Sequence, residues 1–356
     1  MLFCFFFSAT GEETLNYFLK DESTGCPKQK GHPRVMQKLF QSSPALPINS
    51  LEGDRNEEIS IGLLSPAPMI SSKYFYDLRG SLLFETITRL DDYYLTRTER
   101  AILNEVHNKL SELVGLGATL VDLGAGNCSK AESLFQSLKP AHYVAVDIAS
   151  DFLTGVLNRL RKTYPEIQID QMDHDFSDGL GSLTPRINGP KMFFYPGSSI
   201  GNFPPEHAAS FLRSIRDAGC PGDSLLIGID LVKDKEIIEA AYNDPSGITR
   251  LFNLNILDHI NRIALADFDT RYWEHVAFYN EEAKRIEMHL VATEDQTVRW
   301  LGGERLFNKG LSILTEYSHK YVLEEFEAIL QKAGFHPIQH WTDDNRWFAL
   351  ILAHVS

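Results

Sequence analysis

The segment Gly124-Ala125-Gly126-Asn127 follows the apolar run Thr119-Leu120-Val121-Asp122-Leu123 and precedes a helical pattern that opens at Ser129. Glycines in a strand-to-helix loop permit torsions and close approach that a Cβ would block, and the helix start offers unpaired N–H groups. Such a loop suits a nucleotide, although Gly-x-Gly alone does not say which one. Ser129 occupies the place of the third glycine in a dinucleotide fingerprint, which argues against NAD or FAD. A second group follows where Asp147 closes the run Val144-Ala145-Val146. A carboxylate at that strand end can accept from both ribose hydroxyls. A third lies at Asp173-His174-Asp175-Phe176, closing another strand-like stretch. Singly, each acid reads equally well as a helix or turn cap. Their order, one group per successive strand end, points to a nucleoside-bearing cofactor.

Those groups must be carried by alternating elements. From about Arg100 the chain reads as helix ILNEVHNKLSELVGLG, strand TLVDLG, helix SKAESLFQSL, strand HYVAVDI, helix SDFLTGVLNRLRKTY and strand QIDQMDHDF. Strand KMFFYPGSSIGNF, helix PEHAASFLRSIRDAG and strand SLLIGIDL continue it, which predicts a parallel sheet with helices on both faces. Near Lys233 the alternation breaks. A helical stretch, KEIIEAAYNDPSGITRLFNLNILDHINRI, leads into long strands YWEHVAFYNEE, KRIEMHLVATEDQTVRW and ERLFNKGLSILTEYSHKY. Helix YVLEEFEAILQKAG and strands HPIQHWT and RWFALILAHV, joined by Asp343-Asp344-Asn345, close the chain as a hairpin. This α/β plan, a Rossmann-like doubly wound sheet with an antiparallel C-terminal hairpin and a smaller α+β substrate domain, resembles the class I S-adenosylmethionine-dependent methyltransferases. In that architecture the third strand end gives a polar side chain to the adenine amine and an apolar neighbour to the ring. The resemblance assigns those places to Asp175 and Phe176.

The reading divides the chain into a partly disordered tail or linker over 1–60, a discontinuous substrate domain over 61–98 and 232–321, and a methyltransferase domain over 99–231 and 322–356. Order is expected from about Ser65. A net charge of −14 and a pI near 5.3 repel a phosphate backbone, so a small-molecule substrate is expected rather than a nucleic acid. Cys4, Cys26, Cys128 and Cys220 form no C-x-x-C pair, which suits a reducing, cytoplasmic setting. The opening run MLFCFFFSA lacks a basic flank and is far shorter than the roughly 20 residues that span a bilayer, so no membrane is expected. No H-E-x-x-H or Cys/His cluster suggests a metal, and His336 and His340 flank Pro337 in a predicted strand.

The segments SSKYFYDLRGSLLFETITRLDDYYLTRTE, VDLGAGNCSK, YPGSSIGNFPP, AYNDPSGITRLFNLNILDHINR, RIEMHLVATEDQTVRW and ILTEYSHKY together carry a closer likeness. From Ser65 to the C-terminus the chain resembles the histidine Nα-methyltransferases of ergothioneine biosynthesis. The resemblance implies a cofactor site of Tyr93 (or its neighbour Tyr94), Gly124, Lys130, Asp147, Asp175 and Phe176, with S-adenosylmethionine as donor and S-adenosylhomocysteine as product. It places Asn202 and Tyr242 at the α-amino and carboxylate groups of L-histidine, with Tyr76 lining the same pocket. Glu316 and Ser318, two apart on a predicted strand and so on one face, would read the imidazole, and Met288 would pack nearby. Tyr76 and Asn202 are the candidates for orienting the amine during transfer. Repeated transfer would give the trimethylated product, hercynine, in a monomeric enzyme. Two other readings stay open: a relative acting on a tryptophan derivative or a thiol-substituted histidine, and a binding protein without turnover.

Overall fold

The computed structural model describes residues 50–148, 150–175, 180 and 189–356. Residues 1–49 of the expected tail, and Phe176, lie outside the described residues.

The central strands are β1 (Thr119–Leu123), β4 (Lys191–Tyr195) and β5 (Ser224–Asp230), and every residue of all three is buried. That near-continuous burial is expected of parallel strands covered on both faces. With β2 (His142–Asp147), β3 (Gln168–Asp173), β11 (Phe335–Thr342) and β12 (Phe348–Val355), they form a seven-stranded sheet ordered β11-β12-β5-β4-β1-β2-β3. β12 runs antiparallel to both β5 and β11, whereas β5, β4, β1, β2 and β3 pair in parallel. The order reverses at β1, whose carboxyl end is where ligands of open α/β sheets sit. This is the class I methyltransferase sheet.

Alternation along each strand feeds two cores. Val121, Leu123, Phe193, Tyr195, Ile227 and Ile229 pack beneath α6 (Pro205–Ala218) and α9 (Leu323–Lys332). Leu120, Met192, Phe194 and Leu226 point to the opposite face. There they meet α3 (Tyr94–Val114), α4 (Ser129–Leu138) and α5 (Ser150–Thr163). A one-residue slip of any strand would exchange the two faces.

A separate apolar core joins α1 (Ser50–Leu64), α2 (Leu78–Ile87), α7 (Lys235–Ala240) and α8 (Ile248–Ile263) to antiparallel strands. β6 (Trp273–Asn280), β7 (Arg285–Ala292) and β10 (Ser312–His319) make one sheet, and β8 (Gln296–Trp300) pairs with β9 (Gly303–Phe307).

Three expectations about element limits change. The segments read as two long strands are four, cut at Thr293–Asp295 and Asn308–Leu311; Gly310 takes φ +87° and the N–H of Lys309 donates to Asp295. The long helical stretch is two helices, because Pro245 interrupts it and Asp244 accepts from the N–H groups of Ile248 and Thr249 to start α8. A helix, α1, also covers Ser50–Leu64, ahead of Ser65. Ile59 and Leu63 enter the separate core, Trp300 Nε1 donates to Ser60 Oγ, and Arg305 satisfies the carbonyls of Leu63 and Ser65.

Candidate active site

The loop after β1 is held by its neighbour strand. Gly124 and Gly126 adopt φ +74° and +51°, and the N–H groups of Gly124 and Ala125 donate to the carbonyl of Val146. The Gly126 N–H donates to Asp147 Oδ2 at 2.8 Å, so this acid fixes the loop as well as closing β2. Asn127 Oδ1 accepts from the Ser129 N–H at the start of α4, while its amide donates to Glu85 Oε2 on α2.

Around this loop lies a cavity of about 580 Å³, within the range of ligand sites. Tyr76, Tyr93, Gly124, Lys130, Asp147, Asp175, Asn202 and Glu316 all line it. A smaller chamber of about 50 Å³ opens from it, and Tyr242, Met288 and Ser318 line that chamber together with Tyr76, Tyr93, Asn202 and Glu316. About 10–15 Å³ on this measure accommodates one water-sized group, so the chamber suits a small ring. Eleven of the twelve candidate residues therefore border these two adjoining spaces, and Phe176 is outside the described residues. Tyr93 lines both spaces, whereas the Tyr94 hydroxyl donates to buried Asp230 at 2.8 Å.

The turn that carries Asn202 is pressed onto β10. A Cβ on Gly201 would lie 2.8 Å from the carbonyl oxygen of His319, so only glycine fits there. His319 Nδ1 lies 2.8 Å from the Gly201 carbonyl. β10 itself is irregular between Leu314 and Glu316, where Thr315 bonds to Asn253 of α8 and to the Met288 carbonyl. Beyond this bulge Glu316 pairs with Met288 and Ser318 with Ile286. Bulges re-aim side chains beside functional sites, and this one turns Glu316 into the chamber.

The Glu316 carboxylate has no hydrogen-bond or ion-pair partner among the described residues, and burial pushes its pKa up to about 7 against the pull of Lys320. Desolvation likewise drives the phenols of Tyr76, Tyr93 and Tyr242 upward, so all three are neutral hydroxyls. Their rings, with Phe84 and Phe252, form an aromatic wall whose centroids stand 5.9–6.3 Å apart in edge-on or tilted contacts.

Several participants were not among the candidates. Glu99, fully buried on α3, lies 2.5 Å from Lys130 Nζ and accepts from the Gly197 N–H. Lys73 bridges Asp175 at 2.9 Å and Glu58 of α1 at 2.7 Å. Burial alone would lower the Lys73 pKa, but the two acids outweigh it and raise it. Asp122 lines the large cavity and accepts from Tyr143 at 2.7 Å, while its Oδ1 is buried without a partner. Burial raises its pKa to about 7. Lys320, fully buried, contacts Asp230, Ser318 and Tyr242. Asp122 carried a sequence signal, an acid two residues before the first loop glycine. Glu99, which acts across 98 residues of chain, carried none.

The donor set fits an S-adenosylmethionine-shaped guest. Asp147 ends β2 and Asp175 follows the end of β3 by two residues, and the orphan Oδ1 of Asp122 would be satisfied by a cationic group such as an amino acid ammonium.

The chain matches the family described as histidine-specific methyltransferase, SAM-dependent, over residues 55–355. It is 40% identical over 302 residues to a histidine N-alpha-methyltransferase of Mycolicibacterium smegmatis, covering 83% of this chain and 93% of that one. A histidine N-alpha-methyltransferase of Mycobacterium tuberculosis is 38% identical over 303 residues, with the same coverage of each. Ergothioneine biosynthesis protein 1 of Neurospora crassa is 35% identical over 289 residues, 78% of this chain and 32% of that longer protein. The protein belongs to the histidine-specific, S-adenosylmethionine-dependent methyltransferases.

Proposed function

We propose that the protein transfers methyl groups from S-adenosylmethionine to the α-amino nitrogen of L-histidine, three times in succession, to give hercynine. The observation that carries this reading is the unpartnered Glu316 carboxylate in a ring-sized chamber opening onto the cofactor cavity. A buried acid without a partner is costly, and a ring N–H relieves it where an apolar side chain does not.

In this reading Gly124, Asp147 and Asp175 hold the nucleoside, Lys130 faces the carboxylate of the methionyl part, and Asp122 faces its ammonium. When bound, the sulfonium supplies an electrophilic methyl group. The chain's own contribution is positional. In-line displacement needs a neutral amine lone pair in a dry site at close range more than it needs a strong catalyst. Tyr76 and Asn202, on the border between cavity and chamber, orient the amine. Asn202 donates to the carboxylate with the Tyr242 ring packed beside it, Glu316 and Ser318 take the imidazole, and Met288 packs against it. Tyr93 and the aromatic wall exclude water.

The separate apolar core, including α1, constitutes the substrate-binding domain, and the seven-stranded sheet the methyltransferase domain. A cytoplasmic location is part of the same proposal; among the described residues no helix is long and apolar enough to cross a membrane.

The test incubates purified protein with S-adenosylmethionine and a panel of free amino acids, followed by mass spectrometry. Successive gains of one, two and three methyl groups on histidine are expected. Gain on a tryptophan derivative or a thiol-substituted histidine alone would transfer the reading to that substrate. No gain on any amino acid would leave a binding protein.

A further inference from the structure

We propose that Lys320 is a positioning residue that makes the Ser318 hydroxyl an obligatory hydrogen-bond donor toward the substrate ring; this rests on the assignment of the chamber to the histidine side chain. An ammonium has three N–H donors and no acceptor. Lys320 Nζ spends all three: on Asp230 Oδ2 at 2.9 Å, Ser318 Oγ at 2.8 Å and the Tyr242 hydroxyl at 3.2 Å. It cannot swing away. Its side chain is fully buried, and Asp230 is itself fully buried, bonded to Tyr94 and paired with Lys233 at 2.6 Å.

The two hydroxyls touched by Lys320 also touch each other, with Tyr242 OH and Ser318 Oγ 2.8 Å apart. A phenol is the stronger donor of the two, so Tyr242 gives its proton to Ser318. Ser318 Oγ then accepts from both Lys320 and Tyr242, which fills its two lone pairs. What remains to face the chamber is its O–H. Glu316, whose carboxylate is unpartnered, offers the opposite polarity from the same strand. A chamber with one donor and one acceptor matches a neutral imidazole, which has one acceptor nitrogen and one N–H. Without Lys320, the Ser318 oxygen regains a lone pair and its proton can turn elsewhere, and that discrimination fades.

The experiment measures calorimetric affinities in the presence of S-adenosylhomocysteine for histidine, thienylalanine and the two thiazolylalanine isomers. Thiazole and thiophene both lack an N–H, so their difference reads only the acceptor nitrogen and leaves the contribution of Glu316 out. In the wild-type protein the isomer whose nitrogen meets Ser318 should bind about tenfold or more tightly than thienylalanine. In Lys320→Met that preference should fall below about threefold, and Lys320→Arg, which keeps the donors, should restore part of it. A purely structural Lys320 would weaken all the ligands alike and leave the preference intact, which overturns the proposal. Should Lys320→Met not fold, Tyr242→Phe carries the same comparison with the Lys320–Asp230 pair kept. A preference that persists in Ser318→Ala places the donor elsewhere and also overturns it. Wild-type protein that fails to bind histidine defeats the functional reading itself. Histidine binding without any thiazole preference defeats only the role of Lys320.

Discussion

Glu99 and Lys130 meet at 2.5 Å, one on α3 and one at the first turn of α4, with Glu99 fully buried and Lys130 bordering the cofactor cavity. The same carboxylate accepts the Gly197 N–H at 2.8 and 3.0 Å, at the head of the turn that carries Asn202. A Cβ at Gly228 of β5 would come within 2.3 Å of Glu99 Oε1, so the sheet leaves a glycine where this acid lies. One buried acid thus ties the helix after the glycine loop to the turn that carries Asn202.

Glu99→Ala leaves Lys130 without its counter-charge and the Gly197 N–H without an acceptor. Breaking a buried pair by removing one partner costs on the order of 3–5 kcal/mol. We expect a melting temperature lowered by several degrees and weaker binding of both cofactor and histidine. Glu99→Gln, which can still accept from Gly197, should recover histidine affinity more than cofactor affinity. Equal recovery of the two, measured calorimetrically, would show that charge on Lys130 is not what Glu99 supplies.

The large-scale plan was readable because it rests on periodicity. Runs such as Leu225-Leu226-Ile227 feed both faces of the sheet, and burial on both sides writes itself as an uninterrupted apolar string. That the glycine loop, Asp147 and Asp175 line one cavity was legible because each falls at or just past a strand end, where position follows from order alone. Glu99, Lys73 and Lys320 were not. Each acts through a partner on a different element, and only the packed structure says which face of α3 or which end of β10 meets which turn. The start of α1 was missed for a related reason: few of its residues are apolar, so Ile59 and Leu63 make a weak stripe whose significance comes from the core they join.

Asp147→Ala should raise the dissociation constant for S-adenosylhomocysteine by about a hundredfold, because two things vanish together: the acceptor of the Gly126 N–H and the proposed acceptor of the ribose hydroxyls. Titration calorimetry checks this. An effect within about threefold would confine Asp147 to holding the loop.

Lys73→Gln tests the link from α1 to the adenine end. All three members of the Glu58–Lys73–Asp175 bridge are partly exposed, at 24–41% of their side-chain surface, so screening limits the loss to about 0.5–1 kcal/mol. Cofactor affinity should fall only a few-fold, and the difference from wild type should shrink as salt is raised. A salt-independent loss would mean that Lys73 acts by packing.

Glu316 makes stability depend on pH in the unliganded protein. Its folded pKa, about 7, lies above the ordinary 4.5, so its contribution is fully present below about pH 4.5 and is lost as pH rises through 7. Glu316→Gln removes that titration. The variant should match wild type near pH 4.5 and exceed it by on the order of 1–3 kcal/mol above pH 8, measured by chemical denaturation. Asp122 titrates in the same range but is present in both proteins and cancels. Histidine use should fall steeply in the variant, since a ring N–H then meets a neutral amide. A stability difference independent of pH would contradict the burial of an ionised carboxylate.

Gly201→Ala and Asn202→Ala separate the placing of the substrate turn from its chemistry. The alanine methyl at 201 would sit 2.8 Å from the His319 carbonyl and 3.1 Å from the His319 nitrogen, both backbone atoms of β10 that cannot rotate aside. The turn must lift, carrying Asn202 away from Glu316 and Ser318. Misplacement of about 1 Å in a site that works by alignment costs on the order of a hundredfold in rate. Asn202→Ala leaves the turn seated and removes only the amide. Gly201→Ala should therefore lower kcat strongly with cofactor affinity little changed, while Asn202→Ala should raise the KM for histidine and lower kcat by a smaller factor. The turn also borders the cofactor cavity through Gly197 and Ser199, so cofactor titrations accompany the kinetics. If Gly201→Ala weakens cofactor binding as much as it slows transfer, the turn serves the cofactor and Asn202 is not the group that aims the amine.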